Sequence, residues 1–283
     1  MRRGLRRLAP AARLNESLNS LMEAFSYIDV PRSGVMNMAI DDAMLDFSEA
    51  HAAVVLRLYQ WSEPTLSLGY FQKISQRELH APSRDLEVVR RATGGGAIVH
   101  HHDLTYSLAV PQSSSSVGAA PAIYQVVHAA VVEWFNELGL PASQWRETYK
   151  LPTAGAPIAA SHKSEFLCFH RRSAGDVVVG EQKVLGSAQR RSSGALLQHG
   201  SLLMSMSEHA PSLLGVQDLV PAAGKMMADL RIFSEEMRLR IQRGIDALLG
   251  ISFQCSLHLD GELGESAIVK VAKFGSPEWR CRA

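Results

Sequence analysis

Residues 87–110, EVVRRATGGGAIVHHHDLTYSLAV, decide how the chain folds. Glu87 to Arg91 is rich in strand-forming residues and runs straight into Gly94-Gly95-Gly96, while Leu104 to Val110 alternates apolar and polar positions, so the glycines sit between strands. Consecutive glycines leave backbone N–H groups unshielded and able to approach an anion or a carbonyl, with Arg90 and Arg91 adding charge nearby. No Gly-Lys-Ser/Thr follows, which excludes a Walker loop, and the Gly-x-Gly-x-x-Gly spacing of a dinucleotide site is absent. A tight turn and a ligand loop both remain open. His100-His101-His102 invites a metal, but neighbours on a strand point to opposite faces and cannot all converge on one ion. The expectation is no metal site, with one histidine facing a cavity and the others solvent.

Outward from this stretch, Met36 to Phe47 places Met36, Ile40, Met44 and Phe47 at helical spacing, the first core helix. Val54 to Tyr59 and Leu66 to Tyr70 read as strands split by the turn Ser62-Glu63-Pro64. Pro111 to Pro121 is a serine-rich surface connection. Ile123 to Leu138 is a helix that stops at Gly139 with Pro141 beyond. Asp176 to Val179, Lys183 to Ser187 and Ala195 to Met204 supply further strands, and Ser234 to Leu249 a further helix. The fold expected is α/β (α+β), one domain with a mixed, largely antiparallel sheet flanked by helices.

The 283 residues suit one large domain, and 46% hydrophobic with 20% charged residues is the composition of a globular chain. Lys+Arg at 29 against Asp+Glu at 28 gives a net charge of +1, which removes the electrostatic case for a nucleic-acid partner. Cys168, Cys255 and Cys281 are odd in number and widely spaced, which suggests neither a disulfide framework nor a zinc clamp and points to a reducing, cytoplasmic setting. No run approaches the roughly 20 apolar residues that span a bilayer, so no membrane role is expected. Arg2, Arg3, Arg6, Arg7 and Arg13 make residues 1–25 a basic segment, read as a disordered tail ahead of one folded domain at 26–283 with a helical C-terminal portion.

Two further clusters carry chemistry. Glu165-Phe166-Leu167-Cys168-Phe169 sets a cysteine among apolar residues: an inert buried thiol, unless cations such as Lys163, His170, Arg171 or Lys183 lower its pKa. Lys183 enters an apolar run bounded by Gly180 and Gly186, so its side chain can cross close to backbone; a snorkelling surface lysine is the plainer reading.

Together, Arg90 to Gly96, Lys183 within GEQKVLGSAQRR and the LLQHGS run at 196–201 resemble the biotin/lipoate protein ligase superfamily. NMAIDDAML at Asn37 to Leu45, LRLYQWSEPTLSLGYFQ at Leu56 to Gln72 and KFGSPEW at Lys273 to Trp279 extend the likeness to the C-terminus. Cys168-Phe169 is similar to the cysteine-dependent octanoyltransferases within it. The resemblance implies transfer of an octanoyl group from octanoyl acyl carrier protein, through a thioester on Cys168, to a lysine of a lipoyl domain or glycine cleavage H protein, without a cofactor. Lys183 would be the second catalytic residue, and Arg91, Gly94, Gly95, Gly96, His100, Gly186, Ser187, Ala188, Gln189 and His199 would bind substrate. Leu66, Leu68, Val99 and Leu185 are candidates for an acyl slot by alternation. A lysine in such a role contributes little to packing, so Lys183→Ala is expected to cost activity rather than stability. Gly96 departs from the Gly-Gly-Arg frequent in octanoyltransferase loops and keeps open an ATP- and magnesium-dependent lipoate ligase. The same residues also leave open an amidotransferase drawing on octanoyl H protein and a non-catalytic acyl- or lipoyl-domain-binding protein.

Overall fold

The computed structural model describes residues 22–112, 119–146, 165–255 and 261–282. Most of the basic first segment, most of the serine-rich connection and Lys163 lie outside them. The strands are β1 (Ala24–Ile28), β2 (Val54–Tyr59), β3 (Thr65–Leu68), β4 (Glu87–Arg90), β5 (Ile98–His100), β6 (Asp103–Pro111), β7 (Ala142–Gln144), β8 (Val177–Val179), β9 (Gln182–Arg191), β10 (Ala195–Leu203) and β11 (Gln254–Cys255). Four long helices accompany them: α1 (Gly34–His51), α2 (Ala119–Glu137), α3 (Leu230–Leu249) and α4 (Glu262–Gly275).

Eight strands form one sheet in the order β11-β1-β2-β6-β10-β9-β8-β7, antiparallel except for the parallel pairs that β1 makes with β11 and β2. Side-chain alternation splits β2 between two layers. Leu56 and Leu58 pack with Val127 and Val131 of α2 and Met237 and Ile241 of α3, whereas Val55 packs with Ile40 and Met44 of α1 and Leu263 of α4. Both faces of the central strands are therefore covered, which is why β2, β6 and β10 are buried along nearly their whole length. The strands bracketing the glycine run separate into a small sheet of their own, β4-β3-β5. Met38 and Ala39 of α1, with Tyr59, Trp61, Val89 and Phe274, join that sheet to the rest.

Ser33 caps α1, its hydroxyl accepting the Met36 N–H. The helix buries acids as well as apolar groups. Arg57, fully enclosed on the α1 side of β2, donates to Asp41 at 3.2 Å and to Asp29 at 2.8 Å. Asp42 receives Lys270 and Lys273 of α4 at 2.8 and 2.9 Å and is also paired with Arg190. A buried carboxylate persists only with such partners, so these pairs fix which way α1 and α4 face. No described helix is long and apolar enough to cross a membrane.

Candidate active site

The small sheet meets the large one around a cavity of about 190 Å³, and each side brings different groups. From the small sheet comes the glycine run. Gly95 takes φ +96, a left-handed conformation that suits glycine, and a Cβ there would stand 2.9 Å from the Arg91 guanidinium. Arg91 donates to the carbonyls of Ser67, Gly94 and Gly96 at 3.0, 2.7 and 2.6 Å, so it holds the loop from inside. Burial pushes its pKa down to about 10, and the charge of an ionised Cys168 works in the opposite direction. Arg90, the adjacent residue, faces away: its guanidinium is spent on carbonyls of Gly69, Tyr70, Gln72, Trp279 and Arg280.

Cys168 opens a single 3₁₀ turn, Cys168–His170, that is stitched to this loop. Ala97 N–H donates to Phe166 O at 2.9 Å and Cys168 N–H donates to Ala97 O at 2.8 Å, a parallel bridge between chain segments seventy residues apart. The crossing is so close that a Cβ on Gly96 would lie 3.0 Å from the Cys168 nitrogen and the Phe166 oxygen. Glycine at position 96 leaves room for that crossing.

The large sheet supplies the titratable side chains. Lys183, near the start of β9, lays its side chain over Gly186, where a Cβ would stand 2.3 Å from its Cε. Its Nζ lies 3.8 Å from Cys168 Sγ, 5.4 Å from the centre of the Phe169 ring and 2.8 Å from Asp176 Oδ2. The lysine and aspartate side chains are only 4% and 2% exposed. Asp176 also accepts the Tyr124 hydroxyl and the Ser173 N–H. Lys183 is therefore neither a snorkelling lysine nor an unpaired amine, and its removal would leave the buried Asp176 carboxylate without its cation.

Behind β9 a directional chain of hydrogen bonds passes through the cavity wall at Ser187. His128 Nδ1 meets Gly175 O at 2.7 Å, which requires the proton on Nδ1 and leaves Nε2 to accept from Ser187 Oγ at 2.6 Å. Ser187 then accepts from Tyr106 OH, which accepts from Gln198. Burial holds His128 down to about 4, so it stays neutral. On the neighbouring strand β10 His199 is set between Asp41 at 3.1 Å and Thr93 at 2.6 Å, and burial lowers its pKa against the pull of Asp41. His100 stacks on Trp61 at 3.8 Å and pairs with Asp103 at 2.8 Å.

Of the residues singled out in the sequence, Arg91, Gly95, Gly96, His100, Cys168, Lys183, Gly186, Ser187, Ala188 and His199 line this one cavity. Gly94 and Gln189 do not: they border a neighbouring cleft beside Phe71 and Trp279, and Gln189 is bonded to Ala120 O and Gln198. Leu66, Leu68, Val99 and Leu185 are packed into the cores, and the apolar wall is instead Met38, Tyr59, Trp61 and Ile98. Strand alternation marked the apolar positions without showing which face carried the cavity. Asp176, His128 and Asp41 were not singled out as functional. Gly180, at φ +60 between two apolar runs, was the available signal, because a hairpin there sets Asp176 beside Gly186.

Residues 33–220 match the model of the lipoyl protein ligase A/B catalytic domain. The chain is 31% identical over 282 residues to octanoyltransferase LipM of Halalkalibacterium halodurans, covering 92% of this chain and 100% of that protein. Against octanoyltransferase LipM of Brevibacillus brevis it is 32% identical over 290 residues, with 92% and 100% covered. The solved bipartite lipoate protein ligase of Thermoplasma acidophilum shares the fold, with a TM-score of 0.62 at 20% identity over 92% of this chain and 96% of that one. With the glycine loop, the cysteine turn and the lysine strand meeting at one cavity, the chain belongs to the lipoyl protein ligase A/B catalytic domain family.

Proposed function

We propose that the chain is a protein N-octanoyltransferase that takes an octanoyl group from octanoyl acyl carrier protein onto Cys168 and passes it to a lysine of a lipoyl domain or of glycine cleavage H protein. The observation that carries this reading is the Cys168–Lys183–Asp176 arrangement, a thiol 3.8 Å from an ammonium that is itself held by a buried carboxylate. An adjacent cation favours the thiolate, the form of cysteine that attacks. Attack on the donor thioester forms the Cys168 thioester and releases the carrier's thiolate, which takes up a proton. The acceptor amine then attacks that thioester, an amide forms, the amine loses its proton and Cys168 leaves as thiolate. Lys183 stands where it can donate to the departing sulfur or to the carbonyl oxygen in both steps. Exchange between thioesters is nearly balanced and the amide is more stable, so the sequence runs forward without ATP. The near identity of its extent to two curated octanoyltransferases supports the same reading.

Incubation with octanoyl acyl carrier protein is expected to add one hydroxylamine-sensitive octanoyl group on Cys168, read by intact-protein mass spectrometry, and Cys168→Ala is expected to show neither adduct nor transfer. Supplying apo lipoyl domain with free octanoate, ATP and magnesium is the opposing arm. Product only under those conditions would make the protein a ligase, and transfer at normal rate by Cys168→Ala would remove the covalent step.

A further inference from the structure

The three consecutive histidines are divided by the end of a strand. β5 stops at His100, which turns into the cavity, while His101 and His102 fall in the following turn and leave on its outer side with their rings stacked at 3.7 Å. The alternation expected to scatter them therefore ends one residue too early to do so. Facing them is Glu208, whose carboxylate lies 3.5 Å from His101 Nδ1 and 3.7 Å from His209 Nε2. One ligand atom from each of His101, His102 and Glu208 falls within 4.8 Å of the others.

The geometry points to a binding site for a divalent late first-row metal ion, of which Zn²⁺ is the representative, held by His101, His102 and Glu208 with His209 beside it. Two imidazoles and a carboxylate suit zinc, copper or nickel rather than magnesium or calcium, which take all-oxygen shells. Tetrahedral coordination at about 2.0–2.1 Å asks for donor separations near ~3.3 Å. Exposed His102 and Glu208 reach that by side-chain rotation, since the backbone of each half is fixed. Met204 N–H donates to His102 O at 2.9 Å, and the Ser207 hydroxyl accepts the His209 N–H at 3.1 Å while lying 3.0 Å from His101 Nδ1.

The site stands apart from the acyl chemistry, which needs no metal, and its consequence is structural. It would clip the turn after β5 to the segment 205–213. That segment packs Ala210 and Leu213 against the core that holds Phe166 and Phe169, and its Ser212 bonds His170, two residues from Cys168.

The experiment uses the full chain without an affinity tag, stripped of metal and titrated with Co²⁺ by visible absorption and with Zn²⁺ by calorimetry. One equivalent of each is expected, with a tetrahedral cobalt spectrum, a Zn²⁺-dependent rise in melting temperature and no displacement by excess Mg²⁺. His102→Ala and Glu208→Gln, both at exposed positions, are each expected to lose the bound equivalent, whereas His51→Ala, beside a distant carboxylate, keeps it. Absence of binding, or binding that survives both His102→Ala and Glu208→Gln, overturns the assignment.

Discussion

The two sheets that meet at the cavity contribute in opposite ways. The small sheet offers mainly backbone, beside the Arg91 and His100 side chains: a glycine loop whose carbonyls are tied to Arg91 and whose last glycine is crossed by the cysteine segment. The large sheet offers side chains whose protons are placed by partners, Lys183 by Asp176, Ser187 by His128 and His199 by Asp41. Position is therefore vested on one side and proton placement on the other, and substitutions on the two sides should fail differently.

The largest effect is expected for Lys183→Ala. Loss of the ammonium should slow acyl transfer roughly 10²–10⁴-fold, and the stranded Asp176 should cost about 3–5 kcal/mol of stability. Lys183→Ala combined with Asp176→Asn separates the two: denaturant unfolding should recover most of the stability while transfer stays as slow as in the single variant. Recovery of transfer in the double variant would show that the lysine serves only the fold.

Gly96→Ala tests the backbone side. Its Cβ must displace the Cys168 nitrogen or the Phe166 carbonyl, each 3.0 Å away. Overpacking should cost about 1–3 kcal/mol, and a shift of the nucleophile near 1 Å about 10²-fold in rate. A thiol-alkylation pH profile unchanged beside slowed transfer would mark the defect as one of position. A displaced profile would blur the division between the sheets.

The next effect is one of pH. His128 is neutral in the folded state down to about 4, whereas in the unfolded chain it protonates near its ordinary value of about 6.5. Between those values the unfolded state binds the extra proton, so stability rises with pH through that window and is lost as the solution is acidified from 6.5 towards 4. The loss from this group should be about 2–3 kcal/mol, and His128→Asn, which keeps a donor for Gly175 O, should make the fall in melting temperature between pH 7 and 4.5 shallower. Gln189→Ala should matter least, costing about 1 kcal/mol for its hydrogen bonds and leaving transfer rates within twofold, because its side chain lies outside the cavity.

The same division explains what was legible in the sequence. Met36 to Phe47, Val54 to Tyr59 and Ala195 to Met204 announce themselves through periodicity, because their apolar positions answer to local geometry, and the observed elements match them closely. β1 was hidden under the basic tail, since five residues beginning at Ala24 carry too little pattern, and within the C-terminal portion expected to be helical the bounds of α4 were hidden because its solvent face includes the apolar Ile268 and Val269. Cys168, Lys183 and the glycines could be named from motif. Asp176 could not: it reaches the lysine only after the β8–β9 hairpin, with a register shift at Val177/Val178, brings it across from Gly186. His128 lies forty-seven residues from the carbonyl that sets its tautomer, a pairing no local window contains.

Arg91 has a further consequence. Among the described residues it has carbonyl partners and no carboxylate within ion-pair distance, and the cavity it lines carries Arg91, Arg171 and Lys183 against Asp176 alone, leaving the histidines aside. On the proposed reaction the two half-reactions thus take place in different fields. Before acylation the Cys168 thiolate offsets part of the excess positive charge. After acylation the sulfur is neutral, the excess grows by one, and an approaching lysine ammonium is repelled where the free amine is not. The acylated cavity would then do more than present a thioester: it would depress the pKa of its own acceptor and select the deprotonated form that alone can attack.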